Sequence, residues 1–469
     1  MKKSRLNIII DSLSKKDRRE LAKFIQSPFF NQQEQLVRFF ELLIEFKYVL
    51  KIEPVKEKLY RQLYPNLPYE DVRIRLLMSD LLKLIEKYFV YQEMMADPLD
   101  AQIKLASAYL KRNLPIHFER TAQQVENHLQ KQPFRNAKYY RHRYQLHFEN
   151  IQYIASYKPA SKFSLKEMSD ELDLNYLANK LRQACLQQTQ RTVYRPEASQ
   201  MFPDELIQYI EKRQYLHIPL IGIYYHCYHC LVHPEDSSHF QQFRQLLFEH
   251  DHQFPEQEIH DLYKYAINYC VLQINNGLEN YFKEVMTLYK TGLEKGFLLE
   301  YNQLTRFTYH NIAAAGLRIE DYEWVESFIY QYKKKLEKKY QESSFSFNLA
   351  RLEYSRRNYD EALKLLRSFN HKDILLNLAA KTLLLKIYFE LSEFDLLEAH
   401  IEAMKIFLRR KQLQKSIGYH QVNYLKVVEY TKKLISINYF DKKARQNLRD
   451  RIESEEILTE KGWLLEQLI

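Results

Sequence analysis

An all-α fold of antiparallel helical hairpins is predicted by three features of this 469-residue chain. Glycine is scarce: seven occur in all, and the first 221 residues hold none. β-Hairpin turns and phosphate-cradling loops need glycine where φ is positive, so β architecture and a Gly-rich nucleotide site are both disfavoured. Apolar residues recur at 3, 4 and 7 spacing through much of the chain, the period of a helix with one buried face. Finally, an aromatic residue heading a helical pattern recurs at Tyr322, Tyr359 and Phe394, a near-constant interval that marks a structural repeat.

Residues 1–96 read as a helical N-terminal domain. Ser14 and Asp17 form a capping-box pattern before KKDRRELAKFI, and Ser27-Pro28 ends that helix because proline disfavours helix in the residue before it. Asn31 with Glu34 opens a second helix, whose Leu36, Phe39, Phe40, Leu43 and Ile44 make one apolar stripe. After the turn at Pro65 and Pro68, a long helix carries Leu77, Leu81, Leu84, Ile85 and Tyr88 inward, and Asp97-Pro98 marks a boundary. Residues 97–200 read as further helical hairpins, with a break at Leu114-Pro115, a helix over about Asn136–Ser156, and Ser164 capping the next. The segment RTVYRPEASQMFP, with Pro196 and Pro203, has the composition of a linker.

Residues 201–469 carry the repeat. In SFNLARLEYSRRNYDEALKLLRSF (346–369), Leu349-Ala350 is a large-small pair, and Tyr359 and Ala362 stand as a turn aromatic and a small residue. Two helices pack closely only where one offers a small side chain to a bulky one. The next unit, 383–404, keeps Leu384 and Tyr388 but has Leu397 where alanine is expected. The preceding one, 308–332, keeps Ile312-Ala313 but has Val325 there, and a fainter unit spans 265–290. Over about 260–410 the chain resembles tetratricopeptide repeats. The resemblance implies a TPR-like α-solenoid, closed by helices near 415–440 and 442–468, the last capping its apolar end. It also implies peptide binding on the inner face of the first helices, through Phe347, Arg351 and Tyr354 and through Thr382, Lys386 and Phe389. Arg351 and Lys386 are equivalent positions, so two cations on adjacent rungs would suit an acidic segment or a terminal carboxylate. The departures at Val325 and Leu397 predict altered hairpin angles.

Composition sets the remaining bounds. Hydrophobic content of 46% with 28% charged residues is that of a folded chain, and 469 residues exceed what one compact core holds. Four cysteines are too few for a disulfide scaffold. The N-terminal apolar run LNIII is too short for a secretory signal, and no stretch reaches the 18 or so apolar residues of a membrane span. A cytoplasmic location is expected. A net charge of +10 permits nucleic acid, acidic protein or anionic lipid as partner, although lysines and arginines solvating helix faces account for most of it.

No Gly-x-Ser-x-Gly, Gly-Lys-Ser/Thr or His-Glu-x-x-His motif occurs, so neither an enzyme nor a cofactor is expected. The densest titratable cluster is HIPLIGIYYHCYHCLVHPEDSSHF. On a helix, His226, His229, Cys230 and His233 share one arc, with Ile221, Tyr224, Tyr225, Tyr228 and Val232 opposite. Such spacing suits zinc only if His239, His260 or Cys270 joins it, because no second C-x-x-C exists. In KYYRHRYQLHF, Tyr140, Tyr144 and His147 lie on one face and could stack bases, but a stripe of this kind is commonly core. KKKLEKK (333–339) reads as cations at a helix C-terminus. The expected function is an intracellular helical-repeat adaptor or scaffold binding a protein or peptide through a concave groove. The alternatives are a nucleic-acid-associated protein, or a metal-binding protein using the His226–His233 helix.

Overall fold

The computed structural model describes residues 4–159, 164–194, 204–367, 374–413, 420–455 and 457–469. Among them are 23 α-helices and no β-strand, so the all-α expectation is met. The chain divides into two compact units, residues 1–179 and 180–469.

The first unit begins with α1 (Arg5–Ser12), α2 (Lys15–Gln26), α3 (Glu34–Ile44), α4 (Lys56–Leu63) and α5 (Asp71–Ala96). The capping box forms as predicted: the Ser14 hydroxyl accepts from the Asp17 amide, and the Asp17 carboxylate accepts from the Ser14 amide. Asn31 plays a different part from the one expected. Helix α3 starts at Glu34 behind Gln33, while the Asn31 amide donates to Ile25 and Gln33 carbonyls and ties the preceding turn. Leu36, Phe39, Phe40 and Leu43 meet Leu77, Leu81, Leu84, Ile85 and Tyr88 in one core. A second core joins α6 (Pro98–Lys111), α7 (Pro115–Lys131) and α8 (Ala137–Tyr157) through Ile103, Phe118, Val125 and Leu146. Pro98 and Pro115 each occupy the first helical position, where the missing N–H costs nothing.

Helix α9 (Leu165–Tyr194) contains the division between units. Of the expected linker, residues 195–203 lie outside the described residues. The second unit continues with α10 (Asp204–Lys212), α11 (Pro219–Val232), α12 (Ser237–His250), α13 (Glu256–Asn275) and α14 (Tyr281–Glu294). It proceeds through α15 (Arg306–Arg318), α16 (Tyr322–Tyr332), α17 (Gln341–Ser355), α18 (Tyr359–Arg367), α19 (Ile374–Glu390) and α20 (Phe394–Leu413). Helices α21 (His420–Ser436), α22 (Lys442–Glu453) and α23 (Lys461–Glu466) complete it. The single helix expected over 442–468 is thus two. The chain reverses at Glu460, whose φ is +60°, so that Trp463, Leu464 and Leu468 reach the core formed with Leu385, Leu397, Ile401 and Leu434.

The pairs α11–α12, α13–α14, α15–α16, α17–α18 and α19–α20 are antiparallel hairpins, and neighbouring first helices also touch, α15 on α17 and α17 on α19. Three of the hairpin turns are built identically. Glu320, Arg357 and Ser392 adopt the left-handed conformation, each two residues before the turn aromatic. The next amide then reaches back over the turn, from Asp321 to Gly316, Asn358 to Glu353 and Glu393 to Tyr388. This is a Schellman closure, which glycine usually provides. Here side-chain-bearing residues fill the role at a cost of about 1–2 kcal/mol each, and that is how a glycine-poor chain makes helical hairpins.

Candidate binding groove

Helix α17 carries Phe347, Arg351 and Tyr354 at i, i+4 and i+7, and α19 carries Thr382, Lys386 and Phe389 at the same spacing. Five of the six line one cavity of about 760 Å³: Phe347, Arg351, Tyr354, Thr382 and Lys386. The sixth, Phe389, is partly buried, its ring edge-on to Trp463 at 5.5 Å. Thr382 is buried, and its hydroxyl donates to the Leu378 carbonyl at 2.9 Å, so it contributes shape more than a free polar group.

The two cations differ sharply. Lys386 is paired within the chain, its ammonium 2.8 Å from a Glu460 carboxylate oxygen and over the Tyr354 ring at 4.8 Å. Arg351 is half-buried on the cavity wall, and among the described residues no carboxylate lies within 4.0 Å of it. Its contacts are the His310 carbonyl at 3.5 Å and the Phe347 ring at 5.7 Å. Burial works against its charge, and Glu460 opposes that only from a distance. Among the described residues, then, no carboxylate accepts the paired hydrogen bonds that the planar fork of this guanidinium can donate.

Sequence reasoning missed two walls of this cavity. One is α15, which supplies Phe307, His310, Ala314 and Leu317. Stepping the repeat back 37 residues from Arg351 and Tyr354 lands on Ala314 and Leu317, so that signal was present. The other wall is the C-terminal segment, through Thr459, Glu460, Trp463 and Glu466. The Trp463 indole N–H donates to Glu390 at 2.9 Å, and the same carboxylate accepts from Gln467 at 3.1 Å. Nothing local in the sequence announces a contact spanning more than seventy residues.

The histidine cluster is assembled in part. His239 on α12 does join it: its Nδ1 lies 2.9 Å from His226 Nδ1, and its ring stacks on His229 at 4.6 Å between centroids. His233 lies farther off, 6.3 Å from His229, and its Nδ1 is 3.4 Å from Glu235. Cys230 is fully buried, and its thiol donates to the Cys227 carbonyl. Its i+4 offset from His226, about 40° around the helix, carries it to the buried side. Tyr225 does not oppose the histidines as expected, since its ring packs on His229 at 4.4 Å. Among the described residues no group of three or more His, Cys, Asp or Glu side chains is arranged to hold a metal ion.

What the histidine cluster does hold is a pH dependence. Burial, then the neighbouring His239, lowers His226 and His229 from 6.5 to about 4. Between those values the unfolded chain binds more protons than the folded one, so stability falls as pH drops and is unaffected by this pair above 6.5. The thermal midpoint of the protein should therefore decline between about pH 6.5 and pH 4.5, and more shallowly in a His226→Gln/His229→Gln variant. Equal slopes would mean that the two imidazoles titrate freely.

On α8, His147 of the stripe Tyr140, Tyr144 and His147 is tied to α9. Arg143 and His147 both engage the buried carboxylate of Glu171, the latter at 2.8 Å. The basic run after α16 is likewise engaged, Lys333 with Glu342 at 2.8 Å and over the Phe345 ring. No helix among the described residues is long and apolar enough to cross a membrane. No family model, curated protein or solved structure matches this chain.

Proposed function

We propose that the C-terminal unit is a TPR-like helical-repeat adaptor whose groove along α15, α17 and α19 binds an acidic segment of a protein partner. The observation that carries this reading is Arg351, a half-buried cation on the wall of a 760 Å³ cavity with no carboxylate among the described residues within 4.0 Å. An uncompensated charge in such a place is costly until an anion arrives. The identically built turns at Glu320, Arg357 and Ser392 support the repeat, because they set successive first helices in one register. The rim supports a binding role: Phe307 and Leu375 line the cavity yet are 63% and 41% exposed, apolar surface that a guest would cover.

The test is charge reversal at Arg351 alone. Lys386 is unsuitable, since reversing it would break the pairing with Glu460 and disturb the fold. Arg351→Glu should abolish retention of an acidic partner by the full-length protein in affinity purification from its own cells, with a wild-type far-ultraviolet circular dichroism spectrum showing that the variant is folded. A partner set identical to that of the wild type would refute the groove as the binding site.

A further inference from the structure

The chain's own C-terminal segment indicates which chemistry the groove accepts. On the α19 rung, Lys386 holds the Glu460 carboxylate and Phe389 holds the Trp463 ring, an acid and an aromatic three residues apart on one turn. The α17 rung repeats that arrangement 35 residues earlier, with Arg351 in place of Lys386 and Tyr354 in place of Phe389. There no carboxylate among the described residues lies within 4.0 Å of the cation, and the cavity opens beside it. Phe307 and Phe347 add aromatic surface to the same cavity.

We infer that residues 459–466 are a resident counterpart of the guest, and that the partner presents a carboxylate side chain followed three residues later by a large aromatic ring, set on the α17 rung beside the resident turn. The carboxylate would form the paired hydrogen bonds that a guanidinium offers, and the ring would enter between Phe307, Phe347 and Tyr354. The resident turn stays in place, because Trp463, Leu464 and Leu468 are core residues. It forms the end wall of the guest site. The inference rests on the groove being a peptide site, and it adds the motif that the site reads.

Three labelled probes separate the two claims in a fluorescence-polarisation titration of the full-length protein. They are a peptide of residues 457–469, the same peptide with Trp463→Ala, and hexaglutamate. The 457–469 peptide should bind the wild type, and bind Arg351→Gln about tenfold or more weakly, the range for a lost hydrogen-bonded charge. The Trp463→Ala peptide should lose a similar factor. If the Trp463→Ala peptide or hexaglutamate binds as well as the 457–469 peptide, and in an Arg351-dependent way, the motif is wrong and the acidic groove stands. If no probe shows Arg351-dependent binding, both claims fall. Arg351→Lys keeps the charge and loses the fork, so it serves as the folded control should Arg351→Gln prove unstable.

Discussion

Replacing Gly316 by alanine should destabilise the C-terminal unit by about 1–3 kcal/mol, the usual cost of overpacking a filled core. A Cβ there would lie 2.3 Å from the Cγ2 of Val325. Val325 is fully buried, and its β-branched side chain has little rotamer freedom on a helix, so it cannot swing aside. The same geometry predicts a rescue. Val325→Ala removes the obstructing methyl groups and restores the small residue that the best repeat keeps at Ala362. The Gly316→Ala/Val325→Ala pair should therefore be more stable than the sum of the single effects, with a coupling of about 1 kcal/mol or more. Urea unfolding of the four proteins measures this. A double variant no better than additive would mean that the two helices do not meet at these residues. At the position where Val325 departs from the repeat, the facing residue on α15 is Gly316. The small residue of the α15–α16 contact is thus on the first helix, where the α17–α18 hairpin has Ala362 on the second.

Trp463→Ala should cost about 3–5 kcal/mol of local stability, the range for truncating a buried aromatic. The indole is 6% exposed. It packs edge-on to Phe389, donates to Glu390, and lies 5.6 Å from the Lys386 ammonium. Losing it takes away the main anchor of α23 and, with it, the position of Glu460 against Lys386. Hydrogen exchange should then quicken across 457–469 and the end of α19, while the first unit keeps its wild-type rates. Uniform protection across 457–469 in the variant would show that Leu464 and Leu468 hold the segment alone. Glu390→Gln should have a milder effect, about 1–2 kcal/mol, because a neutral amide still accepts the indole N–H but gives up the charge assistance.

Both predictions turn on contacts that differ in how visible they were. Gly316 and Val325 are nine residues apart, and a glycine inside a helical pattern beside a missing small residue is a pairing that the sequence displays. The sequence places Trp463 in a capping helix at the end of the array, but not on a lysine 77 positions upstream. Similarly, the histidine arc on α11 was visible, and His239 was among the residues that could join it. That Cys230 would instead turn into the core depended on which side of α11 the neighbouring helices covered.

The sequence by itself determined what is local or periodic: helices with their capping at Ser14, prolines that start α6 and α7, hairpins paced by Tyr322, Tyr359 and Phe394, and the register of Arg351 with Lys386. These follow from propensities and from a 3.6-residue period that any stretch of chain expresses alone. Only the tertiary structure decided which of the two cations would be satisfied. A charge buried in a groove is neutralised by whatever carboxylate the fold brings within hydrogen-bonding distance. Glu460 reaches Lys386 because burial of Trp463 and Leu464 bends the tail back, and it stops short of Arg351.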